Sequence, residues 1–272
     1  MTFNPHKIML TEDQCEVLKI QVEQLGLQPL LITETGSKAW GTDTPSSDHD
    51  FTVVAYDVDY DYFRWPRDSF SGKLNFLGQE CDVRYFSPQK FLRKLARSEL
   101  VAYETVYTPY GYLDSSEKWR DLFQNVVANV FDAREMYRSV IGSMQSVKHE
   151  SEHKRRRQQF RYMFVALQLI DFLENIESLQ LPYVHIEQYR EFAKDAGNYE
   201  AIFRLYDWAM AEDPTNTERM SAEAMQKMLI AFKYPKVVEY KQDQHREFLS
   251  KTLARLMGQP QTWAEMCEAV EK

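Results

Sequence analysis

Two short segments of the chain carry side chains suited to chemistry on phosphates. The first is Gly-Ser-Lys at positions 36–38, which follows an apolar run. In the second, Asp48 and Asp50 are separated by one residue at the start of a strand-like run. Residues i and i+2 of a strand project to one face, so the two carboxylates can aim at one point. Such a pair attracts a hard divalent cation such as Mg2+, which prefers oxygen ligands.

The glycine-containing segment is suited to holding an anion. Gly36 lets the backbone approach closely, and Gly36 and Ser37 can offer N–H groups, together with the serine hydroxyl, to phosphate oxygens. Lys38 either contacts a phosphate or is solvated, and the sequence leaves both open. We therefore expect residues 36–38 to form a phosphate-binding turn.

A third carboxylate is expected from the strand-like segment 79–86. Asp82 is the preferred candidate, and Glu80 on the same face is the alternative. If this strand lies beside the Asp48/Asp50 strand, three carboxylates converge and can hold two metal ions. Arg84 leaves the same face as Asp82 and can reach a phosphate or pair with the acids. His49 should point to the opposite face, and we interpret it as structural or exposed.

The elements that must position these residues follow from local signals. A capping box at residues 11–14 opens a helix, and apolar runs at 29–33, 50–56 and 81–86 predict strands. Residues 36–45 are predicted to be a loop, and Ser87-Pro88 opens another helix. Most of the 9 Gly and 10 Pro precede residue 112, after which the pattern is helical. It predicts a long helical stretch over about 133–177 and later helices that include about 245–257 and 261–271. We expect an α+β fold: a mixed β-sheet with flanking helices in residues 1–112, then a helical domain in residues 113–272.

Composition limits the classes of function. The net charge of −8 argues against a general nucleic-acid coat or a binder of anionic membranes. The 3 Cys are far apart and suggest free thiols in a reducing cytoplasm, and neither a signal peptide nor a membrane-spanning run is visible. The segment Lys148–Arg161 is basic against this acidic background. It is either a solvated helix face or a contact for RNA, including tRNA. The sequence does not indicate an oligomeric state.

The block GSKAWGTDTPSSDHDFTVV at residues 36–54 resembles a known family. Gly-Ser, a spacer, Asp-x-Asp on a strand and a later aspartate are typical of the DNA-polymerase-β-like nucleotidyltransferase superfamily. Within it, the block is similar to the bacterial and phage "RNA repair pathway DNA polymerase beta family". The similarity covers about residues 30–175. It includes Glu104 and a long helix with a basic start, to which Arg161 belongs.

This resemblance implies a two-metal nucleotidyl transfer from a nucleoside triphosphate such as ATP, with release of pyrophosphate. Gly36 and Ser37 would bind the triphosphate, with Lys38, Arg84 and Arg161 as further nucleotide-binding candidates. The catalytic and metal-binding residues would be Asp48, Asp50 and Asp82, with Mg2+ or Mn2+ as the cofactor. Asp82 would be either the third ligand or the general base.

Three hypotheses about function remain. The first is an active nucleotidyltransferase whose acceptor hydroxyl belongs to an RNA end, a small molecule or a protein. The second is a catalytically silent binding or regulatory protein of this fold, such as a phage or toxin–antitoxin component. The third, an RNase in the helical half, ranks last because the Arg-x(4–6)-His motif is absent there.

Overall fold

The computed structural model describes residues 10–58, 67–113, 116–147, 151–174 and 182–232. In these ranges the chain forms four strands and ten helices. The strands are β1 (Leu27–Thr35), β2 (Asp50–Asp57), β3 (Ser69–Phe76) and β4 (Gln79–Phe86). The helices are α1 (Glu12–Gln24), α2 (Gly36–Trp40), α3 (Pro88–Ala96), α4 (Leu100–Tyr107), α5 (Ser116–Val130), α6 (Ala133–Ser146), α7 (Glu152–Glu174), α8 (Ile186–Phe192), α9 (Tyr199–Met210) and α10 (Asn216–Ala231).

The four strands form one mixed sheet in the order β1-β2-β4-β3. β1 pairs with β2 antiparallel, β2 with β4 parallel, and β3 with β4 as an antiparallel hairpin. Leu77 and Gly78, at φ 53° and 79°, make the turn of this hairpin, as the two central residues of a type I′ turn do. The predicted neighbourhood of the aspartate strand and the 81–86 strand is confirmed, and so is the predicted fold class.

One face of the sheet is covered by α1. The buried side chains on this face alternate along each strand, as the period of two requires, and they pack with Leu18 and Val22 of α1. They include Phe51, Val53 and Ala55 of β2 and Cys81, Val83 and Tyr85 of β4. On the other face, α3, α4 and α5 pack against β1, β2 and β4. The residues between the buried positions, which include the predicted site residues, therefore point away from α1.

Local signals located most helix starts. Thr11 forms the predicted capping box of α1, and the Ser87 hydroxyl caps α3. One prediction was wrong: residues 36–40, predicted as the start of a loop, form the short helix α2. The long helical stretch predicted over about 133–177 contains two helices, α6 and α7. The predicted helices at 245–257 and 261–271 lie outside the described residues.

The described residues group into two compact units. The sheet unit contains residues 10–39, 44–58, 67–113 and 116–131, and the helical unit contains residues 40–43, 132–147, 151–174 and 182–232. In the helical unit, α7 packs against α6, α9 and α10. The boundary at residues 112 and 113 remains a prediction, and α5 groups with the sheet.

None of the helices in the described ranges is long and apolar enough to cross a membrane.

Candidate active site

Asp50 and Asp82 are neighbours on the face of the sheet that α1 does not cover. They are paired in the register of β2 and β4, so strands about 4.8 Å apart carry them side by side. The Asp82 N–H donates to the His49 carbonyl at 3.2 Å, which continues the pairing one residue before β2. Asp82 is exposed and Asp50 is half-buried. The structure thus places two of the three predicted carboxylates together.

Asp48 is placed differently from the prediction. β2 begins at Asp50, so Asp48 lies in the preceding loop and is exposed, and the pleat of a strand does not set its direction. Its charge nevertheless acts on the same neighbour as Asp82. The pKa of Lys73 is raised mainly by its hydrogen bond and charge interaction with Glu80, and further by the charges of Asp82 and Asp48.

Glu80, the alternative third acid, is engaged elsewhere. It is in register with Asn75 on β3, and its carboxylate forms an ion pair with Lys73. Asp82 is instead in register with Asp50 on one side and Lys73 on the other. The register therefore favours Asp82 as the partner of Asp50.

Gly36 lies directly against the Asp50 carboxylate. Its φ of +68° belongs to the left-handed region, and a Cβ built there would lie 1.8 Å from Asp50 Oδ2. Only glycine fits this position. The Gly36 N–H donates to Glu104 Oε1 at 2.7 Å, so the expectation that this N–H is offered to a phosphate does not hold in this structure. Ser37 is buried and Lys38 is half-buried, and both follow in α2.

A buried carboxylate that the sequence analysis missed holds the start of β2 in place. Glu34 is fully buried and accepts three hydrogen bonds, from Tyr112 Oη at 2.6 Å, His49 Nδ1 at 2.8 Å and the Asp50 N–H at 3.1 Å. Burial and the nearby Glu34 charge raise the pKa of Tyr112, so its hydroxyl stays protonated and donates. The only sequence signal was one acid at the end of an apolar strand.

The position of His49 confirms its structural interpretation. Its ring stacks on Phe51 at a centroid distance of 5.5 Å and meets Phe76 edge to face at 5.9 Å. With its Nδ1 directed at Glu34, the imidazole belongs to the packing of the sheet unit rather than to the pair of carboxylates.

The chemistry of the donor set fits a divalent cation in part. Asp50 and Asp82 present carboxylate oxygens, the ligand type that Mg2+ prefers. Across the described part of the chain, however, no group of three or more His, Cys, Asp or Glu side chains is arranged to hold a metal ion. The assignment of Asp48, Asp50 and Asp82 as a metal-binding trio therefore remains a prediction.

Arg84 lies one strand repeat beyond Asp82 on the same face and is exposed. It is in register with Thr52 on β2 and Ser71 on β3. No described residue forms a hydrogen bond or an ion pair with its guanidinium. Of the two predicted outcomes, binding a phosphate or pairing with the acids, the second is not observed.

Arginines of the basic segment make contacts within the helical unit. Arg156 is buried and donates to the Ala211 carbonyl at 2.7 Å. Arg157 donates to the Thr42 carbonyl at 3.2 Å, and Arg161 Nε to the Thr42 hydroxyl at 3.3 Å. Lys148 lies outside the described residues. The roles of Lys148–Arg161 in RNA binding and of Arg161 in nucleotide binding remain predictions, and three of the arginines already bind oxygen atoms of the protein.

The helical unit also holds Gly41. The Tyr206 hydroxyl donates to the Gly41 carbonyl at 3.1 Å, and a Cβ on Gly41 would lie 2.9 Å from Nε2 of His185. His185 caps α8, because its Nδ1 accepts the Glu187 N–H at 3.1 Å. Burial lowers the pKa of His185 from 6.5 to about 4, which identifies the native imidazole as neutral.

A pH dependence of stability follows for His185. Because the unfolded chain binds this proton with a pKa of 6.5 and the folded chain with one of about 4, stability present above pH 6.5 is lost as the pH falls toward 4. We expect a loss of about 2 kcal/mol between about pH 7.5 and pH 5 from this group. His185→Asn keeps an N-cap acceptor and should lack this component. Urea unfolding at both pH values measures it, and an equal acid-induced loss in the variant would contradict it.

Family models and known proteins show what this chain is similar to. Residues 10–257 match the model of the RNA repair pathway DNA polymerase beta family. No curated protein matches the chain. Among solved structures it is similar to a nucleotidyltransferase-like protein from Exiguobacterium sibiricum 255-15, with 10% identity, 92% of this chain and 82% of that chain covered, and a TM-score of 0.31. The family model spans most of the residues, including the paired aspartates, and the chain therefore belongs to the RNA repair pathway DNA polymerase beta family.

Proposed function

We propose that this protein transfers a nucleoside monophosphate from a nucleoside triphosphate to an acceptor hydroxyl and releases pyrophosphate. The observation that carries the proposal is the register of Asp50 and Asp82, side by side on the face that α1 does not cover, with Asp82 exposed and Gly36 packed against Asp50. Two adjacent ionised carboxylates repel each other, and a divalent cation between them relieves the repulsion. Membership of a polymerase-β-like nucleotidyltransferase family supports the same chemistry.

The predicted site residues would have different roles in this transfer. Asp48, Asp50 and Asp82 would hold Mg2+ or Mn2+, which supplies charge neutralisation when bound. Ser37 and Lys38 would contact the triphosphate. Because Gly36 has no side chain, the triphosphate could come close to Asp50. Arg161 is a further nucleotide-binding candidate. Glu34 and Glu104 position the site through hydrogen bonds to the Asp50 and Gly36 N–H groups.

The proposed transfer is a single displacement at the α-phosphorus of the nucleoside triphosphate. The acceptor oxygen forms a bond to the α-phosphorus, and the bond from that phosphorus to the pyrophosphate oxygen breaks. The hydroxyl proton passes to Asp82, if it acts as the base, or to water. Catalysis of this kind depends on positioning and on electrostatic stabilisation, which fits a site built from fixed carboxylates.

Labelled nucleotides test the proposal. The full chain is incubated with each α-labelled nucleoside triphosphate, Mg2+ or Mn2+, total RNA and cell lysate, beside Asp50→Asn, Asp82→Asn and Glu80→Gln. We expect label transfer that is lost in both aspartate variants and kept in Glu80→Gln, which changes the same charge on the same face of β4. Absence of transfer together with absence of metal-dependent nucleotide binding would overturn the proposal.

A second candidate function is a binding or regulatory protein without catalysis. One observation favours it: the described residues gather no three-membered group of potential metal ligands. If the protein binds without catalysis, nucleotide binds but no label is transferred to any acceptor. The aspartate variants then bind nucleotide as the unmodified chain does.

A further inference from the structure

A pocket of about 340 Å³ opens on the sheet beside Asp82. Two cationic side chains line it, Arg84 from β4 and Lys94 from α3, together with the serines Ser69 and Ser71 of β3. Arg84 and Ser71 are paired in the strand register. The pocket therefore begins one strand repeat, about 6.6 Å, from Asp82 on the same face.

The charges and donors of this pocket suit a phosphate. The Arg84 guanidinium has no partner among the described residues. Lys94 forms an ion pair with Glu99 and lies 5.2 Å from the Phe86 ring centroid. Its charge is therefore partly balanced, whereas Arg84 forms no ion pair with a residue in the described ranges. A planar guanidinium beside hydroxyl donors binds phosphate oxygens better than it binds neutral or cationic ligands.

The position of the pocket indicates which phosphate it takes. Along the sheet, Gly36 follows β1, Asp50 begins β2, and Asp82 and Arg84 lie on β4, with β3 beyond. In phosphoryl transfer the attacking and leaving oxygens lie roughly in line on opposite sides of the phosphorus. If the triphosphate lies at the Gly36 end, the acceptor approaches from the side of β4 and β3.

We propose that the Arg84 pocket binds a phosphate group of the acceptor, so the protein modifies a hydroxyl compound that itself carries a phosphate. This inference rests on the proposed nucleotidyl transfer and assigns Arg84 to the acceptor instead of the nucleotide. It disfavours the unphosphorylated side chain of a protein as acceptor. The acceptor therefore has a hydroxyl near a phosphate. The end of a nucleic acid and a small sugar phosphate both have this arrangement.

Calorimetric titration of the full chain tests the pocket. The probes are ribose 5-phosphate, ribose, a short single-stranded RNA, and ATP with Mg2+. We expect ribose 5-phosphate to bind and ribose not to. Arg84→Gln should weaken phosphate binding about 10- to 100-fold, because a charge-assisted hydrogen bond is lost, and should leave ATP binding unchanged. Arg93→Gln is the matched control, since it removes the same charge from an exposed position next to Lys94 that does not line the pocket.

The outcomes separate the two proposals. Equal weakening of ATP and ribose 5-phosphate by Arg84→Gln, or binding of ribose as strong as that of ribose 5-phosphate, would overturn the inference. If ATP never binds with Mg2+ while phosphate still depends on Arg84, the proposed function fails and the pocket stands. Binding of the RNA that Arg84→Gln weakens identifies a nucleic-acid acceptor, and an Arg84 effect on ribose 5-phosphate alone identifies a small one.

Discussion

Gly36→Ala is expected to reduce nucleotidyl transfer about 100-fold, the size of effect that a displacement of about 1 Å in a reacting group produces. The added Cβ would lie 1.8 Å from Asp50 Oδ2 and 2.6 Å from its Cγ, so the carboxylate must leave its place beside Asp82. The left-handed φ of +68° adds a backbone cost of about 1–2 kcal/mol to the free energy of folding. Transfer rates and urea midpoints of the variant measure the two effects.

The control for this prediction is Gly78→Ala. Gly78 has a φ of +79°, but a Cβ there meets no atom within 4 Å. It should lose a similar amount of stability and keep its transfer rate. The difference between the two variants isolates the displacement of Asp50 from the strain of the backbone. Equal activities in the two variants would show that the Asp50 position does not matter.

Glu34→Leu is expected to lower the free energy of unfolding of the sheet unit by about 3 kcal/mol or more. The substitution removes the acceptor of Tyr112 Oη, which is buried, and of His49 Nδ1 and the Asp50 N–H, which are partly buried. A buried donor left without a partner costs about 1–3 kcal/mol. Because the Asp50 N–H loses its partner, metal-dependent nucleotide binding should weaken as well. Chemical unfolding and nucleotide titration measure the two effects.

Tyr112→Phe provides the comparison for Glu34. It removes one donor and leaves the carboxylate with two, so we expect a loss of about 1 kcal/mol and unchanged nucleotide binding. If Glu34→Leu costs no more stability than Tyr112→Phe, the carboxylate does not hold the start of β2 as described.

The aspartates show which features of the site a local sequence pattern can predict. Alternation along residues 81–86 put Asp82 and Arg84 on one face, and the structure confirms it because a strand's pleat is a local property. The proximity of Asp50 and Asp82 was predicted only on the condition that their strands are neighbours. The prediction for Asp48 requires β2 to begin at residue 48, whereas it begins at Asp50.

The hydrogen bonds of the acids that support the site could not be predicted from the sequence, for a different reason. Glu104 meets Gly36 across 68 residues of chain, and Glu34 meets Tyr112 across 78. No periodicity relates such distant positions, since only the packed arrangement of β1, α4 and the segment after it brings them together. Long-range hydrogen bonds of this kind appear only once the fold is known.

The hydrogen bond between Tyr206 and Gly41 has a consequence for how the chain is made. It joins residues 165 positions apart, and residues 40–43 belong to the helical unit although the chain on either side of them belongs to the sheet unit. A ribosome synthesises the sheet strands early, at about 5–20 residues per second. Gly41 must then wait about 8 to 33 seconds for its partner, so the helical unit cannot complete its packing until translation has passed α9.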